Sequence, residues 1–176
     1  MPTEISGSTG VNKIQDNTIV NADINSSAAI AGSKLVMPTG SVLQVIRAEI
    51  TNGPNVATET NTDLGLQATI TPKFASSKIF AQWSIHARWK YATEVGYGNR
   101  LLRGSTSVWD TASSYFIYKT HNAMDNRNFY SYNYLDSPNT TSATTYKIQV
   151  RSQSSRSIEF SDNGNQSTLI LMEIAG

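Results

Sequence analysis

Residues 78–90 read KIFAQWSIHARWK. Ile79, Ala81, Trp83, Ile85, Ala87 and Trp89 occupy one side of a period-two pattern, and Lys78, Gln82, Ser84, His86, Arg88 and Lys90 the other, with Phe80 as the exception. Successive side chains of an extended chain point to opposite faces. The alternation therefore predicts a long antiparallel strand with one buried face. DLGLQATI at 63–70 repeats it with Leu64, Leu66, Ala68 and Ile70, and TYKIQVR at 145–151 with Tyr146, Ile148 and Val150. Shorter candidates lie at 42–50, 99–103, 115–119, 129–135, 156–160 and 168–174, about nine strands in all. The last belongs to the closing STLILMEIAG, whose near-continuous apolar run predicts burial on both faces.

Helical periodicity is almost absent. Between the strands lie turn-forming clusters at 51–55 (TNGPN), 136–139 (DSPN) and 162–165 (DNGN). Eight or nine strands joined in this way predict an all-β fold, an antiparallel β-sandwich of jelly-roll type over residues 41–176.

The region before the sandwich follows a different rule. In KIQDNTIVNADINSSAAIAGSKLV, residues 13–36, single aliphatics recur at Ile14, Ile19, Ile24, Ile30 and Leu35, in steps of five, five, six and five. A helix needs apolar residues three and four apart, and a half-buried strand needs every second one. So sparse a ladder cannot bury itself within one chain and calls for identical neighbours. In a homotrimer, three copies of each rung would meet about a common axis, each buried aliphatic contributing about 1.5–3 kcal/mol. Ala22, Ala28, Ala29, Ala31 and Gly32 would permit close approach of the chains. Met37-Pro38-Thr39-Gly40 then punctuates the sequence. The expected organisation is a polar docking arm at 1–12, a fibrous neck at 13–40 and a head at 41–176.

Composition narrows the function classes. The 176 residues carry a net charge of +1, with 15% charged residues, which offers no electrostatic pull toward nucleic acid or an anionic membrane. There is no cysteine, which excludes disulfides and thiolate metal sites. No apolar run approaches the roughly 20 residues of a membrane helix, so no membrane insertion is expected. Met1 opens a polar segment without the basic and apolar regions of a signal peptide, which predicts synthesis in a cytoplasm.

Taken together, DNTIVNADINSSAAIAGSKLV, LLRGSTSVWD, YLDSPNTTSATTYKIQV and STLILMEIAG resemble segments of fibre-type virion proteins of tailed bacteriophages. The resemblance implies a viral structural protein, trimeric, with an N-terminal attachment segment and a C-terminal β-rich head that can bind a host surface. It leaves open a tail fibre, a head fibre or a capsid decoration protein. A stand-alone lectin-like carbohydrate-binding module is the alternative of another class. The implied partners are the chain itself, other virion proteins through residues 1–12, and a host surface glycan or protein.

Candidate sites are few. Tyr115, Tyr118, Tyr130, Tyr132 and Tyr134 cluster, and the last three alternate on one strand face. An exposed aromatic face suits stacking on saccharide or contact with protein, whereas the structural reading places these rings in the core or at a subunit seam. His86 and His121 lack acidic or histidine neighbours at ligand spacing, and His86 falls on the polar side of its strand, as a surface residue would. Glu94, Asp110, Asp125 and Asp136 lie in expected loops without a pairing that singles them out. There is no G-x-S-x-G, Walker, Rossmann or EF-hand pattern. The sequence therefore predicts a protein that is not an enzyme and uses no cofactor or metal.

Overall fold

The computed structural model describes residues 24, 27, 37–89, 95–111, 117–119, 125–153 and 156–176. Residues 37–176 form one compact unit. Among the described residues there are eleven strands: β1 (Val42–Ile50), β2 (Asn55–Val56), β3 (Thr62–Ile70), β4 (Lys78–Trp89), β5 (Val95–Arg103), β6 (Thr106–Asp110), β7 (Ile117–Lys119), β8 (Asn126–Asp136), β9 (Thr144–Ser152), β10 (Ile158–Phe160) and β11 (Ser167–Ile174).

Three pairs of these are single strand paths with an interruption. β1 and β2 run on either side of Gly53-Pro54, and β10 and β11 on either side of a 3-10 turn at Asp162–Gly164. β6 and β7 pair with opposite ends of β5. The eleven segments thus trace eight paths. In the first sheet the order is β1/β2, β10/β11, β4, β8; in the second it is β3, β9, β5, β6/β7. In path numbers these are 1-8-3-6 and 2-7-4-5, with every neighbour antiparallel. A long hairpin pairing 1 with 8, 2 with 7, 3 with 6 and 4 with 5, wrapped once around itself, gives this order. It is the jelly roll.

The interruptions have local causes. Gly53 donates its N–H to the Phe160 carbonyl at 3.1 Å. A Cβ there would sit 2.7 Å from that oxygen, so only glycine lets the two chains approach. Gly104, at φ +58°, makes the tight turn from β5 to β6. Ser161 and Asn163 adopt left-handed conformations in the excursion between β10 and β11.

The inner faces follow the alternation. Ile79, Ala81, Trp83, Ile85, Ala87 and Trp89 of β4 meet Leu64, Leu66 and Ile70 of β3, Tyr146, Ile148 and Val150 of β9, and Leu169 and Leu171 of β11 in one core. Asp136, at the end of β8, ties the two sheets together. It accepts two hydrogen bonds from Arg103 Nη1 at 2.9 and 2.8 Å and one from the Tyr146 hydroxyl at 2.6 Å. Burial, and then the neighbouring Asp136 carboxylate, push the Tyr146 hydroxyl well above its ordinary pKa, so it stays a donor.

The nine expected strands are all present, with shifted ends. β2 and β6 were not expected: β2 has two residues, and TSVWD lacks clear alternation, so its pairing follows from the turn at Gly104. Asp136 was read as a loop residue and is instead the buried end of a strand. His86 is also a correction. It was expected at the surface and is only 1% exposed. Its outward side is covered by the Phe129 ring, 4.9 Å away, and its Nδ1 lies 3.4 Å from Asp162 of the β10–β11 excursion. A strand's outer face is wet only where no later segment returns over it.

Candidate interaction surface

The register of the first sheet sets outward-facing residues in rows across its strands. One row reads Val45, Met172, Phe80 and Leu135, from β1 through β11 and β4 to β8. Val42, Ile174 and Lys78 form the row on one side; Arg47, Ile170, Gln82 and Asn133 form the row on the other. Val45 is 54% exposed and Leu135 48% exposed. Met172, Phe80, Ile170 and Ile174, between or beside them, are half-buried by their neighbours. Phe74, also exposed, belongs to the β3–β4 loop, which Lys73 ties to the start of β1 through a 3.2 Å bond to the Leu43 carbonyl.

The same loop is held from below by Glu173, which is fully buried. Its carboxylate accepts from the Lys73 N–H at 2.7 Å, the Ser77 hydroxyl at 2.7 Å and the Gln44 amide at 2.6 Å. Burial pushes the Glu173 carboxyl up, but the donors Ser77, Gln44 and the backbone of Lys73 and Phe74 outweigh it and hold its pKa below the usual value.

The far end of the same sheet is ionic. Arg88 forks onto Asp125 at 2.7 and 2.6 Å and reaches Glu159 and Asp162, each at 3.0 Å. Arg127 lies 3.3 Å from Asp125 and 3.5 Å from Asp162. The three carboxylates are thus held by the two guanidinium groups. Among the described residues no His, Asp and Glu group is arranged to hold a metal ion. Burial lowers the His86 pKa, against the pull of Asp162, which raises it; Arg127 adds to the lowering.

The tyrosine candidates divide. Tyr115 lies outside the described residues. Tyr118 is in β7, opposite Gly96. Tyr130, Tyr132 and Tyr134 do share one face of β8, and that face turns toward the core. Tyr130 packs against Trp89 at 5.5 Å and Tyr97 at 5.9 Å; Tyr132 stacks on Trp83 at 5.6 Å and meets Trp109 at 5.3 Å. Burial pushes the Tyr132 hydroxyl up to about 12. The outward residues of β8 are Arg127, Phe129, Ser131, Asn133 and Leu135. Of the ladder, Ile14, Ile19, Ile30 and Leu35 lie outside the described residues, and Ile24 is exposed. The apolar row itself was not singled out from sequence, although two signals marked it. Phe80 broke the polar side of its strand, and 168–174 was apolar on both sides.

The fold defines a class, the eight-path jelly roll, and comparison with known proteins adds distant likenesses. No family model matches the chain, and no curated protein matches it. Among solved structures it is similar to VP2 in the subviral particle of infectious bursal disease virus, with 15% identity over 85% of this chain and 37% of that one, at a TM-score of 0.45. The structure of the Gx strain of the same virus matches with 15% identity, 85% and 36% coverage and a TM-score of 0.43. Dimeric latent PorU from Porphyromonas gingivalis matches with 6% identity over 78% of this chain and 14% of that one, at a TM-score of 0.31. The chain spans well under half the length of each. Likeness at this level carries no functional argument.

Proposed function

We propose that this chain is a structural protein of a virion, of the bacteriophage fibre type. It is a short homotrimer whose residues 1–12 dock on other virion proteins, whose residues 13–40 form a neck, and whose jelly-roll head stands ready to contact the host surface. The observation that carries this reading is the ladder Ile14, Ile19, Ile24, Ile30, Leu35, which needs identical neighbours to bury its rungs. Its resemblance to phage fibre segments, and a head built as an antiparallel jelly roll, support the same reading. The role is adhesive and structural rather than enzymatic, with no cofactor.

Sedimentation of the full chain at micromolar concentration tests the trimer: three times 19.2 kDa is the expected mass, and a monomer overturns the proposal. Deleting residues 1–12 tests the docking arm, with a folded trimer that fails to join the particle as the expected result. An electron cryomicroscopy map of the parent particle places the protein on tail or head, and so separates tail fibre from head fibre and decoration protein. The lectin-like alternative draws less support, because the rings of Tyr130 and Tyr132 are engaged by Trp83, Trp89, Tyr97 and Trp109.

A further inference from the structure

We propose that the outward apolar row of the first sheet is the surface on which one head meets a second copy of itself. This rests on the homotrimer reading above and names the surface that joins the heads.

Three observations carry it. The row Val45, Met172, Phe80, Leu135 crosses all four strand paths, with its two ends about half exposed. Lys78 and the ion pair of Arg47 with Glu49 border it, which gives an apolar centre and a polar rim. Second, β11 is apolar on both faces, yet the described residues of one head fully bury only one. Leu169 and Leu171 are fully buried inside, whereas Ile170, Met172 and Ile174 are only partly covered outside. A strand with two apolar faces fits two packed layers. Among the described residues of one head, no second layer packs over the outer face.

The third observation selects the occupant. The ladder ends at Leu35, and five residues separate Val36 from Val42, the first residue of β1. Whatever gathers the ladders therefore gathers the starts of β1, the strand that carries Val42 and Val45. Tethered this closely, the heads have effective concentrations in the millimolar range, so a weak apolar contact suffices to hold them together. A second copy is already present at the face, and no foreign partner has that advantage.

The chain has no cysteine, so one introduced thiol reports on one face. The test uses the full chain with Val45→Cys or Leu135→Cys on the first sheet, and Gln67→Cys on the outer face of the second. Each variant is labelled with a maleimide while its mass is followed by sedimentation. The expected result is a trimer in every case, with the thiols at 45 and 135 labelled at least tenfold more slowly than the thiol at 67. A trimer with equal labelling overturns this inference and leaves the proposed function standing. A monomer for wild type and for every variant, with all introduced thiols open, overturns both. A monomer in which 45 and 135 are protected means that the chain's own N-terminal residues cover the row, which also overturns the second-copy assignment. In a further variant, Val45→Asp combined with Leu135→Asp, the trimer should dissociate at a concentration at least tenfold higher than wild type, and unchanged dissociation counts against the proposal.

Discussion

Across the first sheet one outward row reads Val45, Met172, Phe80, Leu135; across the second the corresponding kind of row reads Asp63, Gln149, Arg100, Asp110. In the second sheet Asp63, Gln149 and Arg100 find partners within the row, and Asp110 pairs with Arg151 at 3.0 Å. Lys147, beside the row, lies 3.1 Å from Asp63, and the Arg100 guanidinium donates to Gln149 at 2.8 Å. That face is complete within one head. The first face carries apolar side chains that no described residue covers in full. A sandwich needs apolar residues only on its two inner faces, so the row adds nothing that a lone head requires. The difference separates residues that make the fold from residues available to an assembly.

The comparison breaks most severely where the sheets are joined. Asp136→Ala strands the Tyr146 hydroxyl and the Arg103 guanidinium between them, and should cost about 3 kcal/mol, read as a lowered urea midpoint with both faces lost together. Glu173→Gln acts on the first sheet alone. It keeps the shape but weakens charge-assisted bonds to Lys73, Ser77 and Gln44, at a cost of about 1–2 kcal/mol, and should loosen the Thr71–Ser77 loop in amide exchange before the second sheet responds.

Acid should separate the sheets in the same way. His86 has a lowered folded pKa, so below about 6.5 the unfolded chain takes up a proton that the folded one resists. Its stabilisation is complete above that pH and is lost as pH falls through the folded value. Glu173, also lowered, adds a second loss below about 4.3 as its carboxylate protonates. Thermal melts between pH 7.5 and 5 should fall for wild type and fall less for His86→Gln; equal slopes would refute the assignment to His86. The smallest effect sharpens the comparison most. Leu135→Ser and Gln67→Ser should each shift the stability of the head by no more than about 0.5 kcal/mol, because neither outer face holds the fold. A clearly larger loss for Leu135 by chemical denaturation would make the row part of the head's own stability.

Most of the architecture was legible in sequence: 63–70, 78–90 and 145–151 were marked by their apolar alternation, and 168–174 by an apolar run. β2 escaped because two residues cannot show a period, and β6 because its pairing depends on the turn at Gly104. His86 was misplaced because alternation tells which side a residue faces and not what returns to cover it. The inward turn of Tyr130, Tyr132 and Tyr134 was one of two faces that their spacing allowed. The apolar row stayed hidden because its four members lie on four segments, and register alone brings them side by side.

The sequence by itself determined the period-two strands, the turn residues between them, the absence of cysteine chemistry and the sparse ladder before residue 40. These are local properties, set by side-chain alternation and backbone preference within a few residues. Only the tertiary structure decided the wrapping into 1-8-3-6 and 2-7-4-5, the burial of His86 under Phe129, the joining of the sheets at Asp136, and the meeting of Val45, Met172, Phe80 and Leu135. Those depend on which distant strands pair and in what register, and the pairing of β1 with β11 links residues more than a hundred positions apart in the chain.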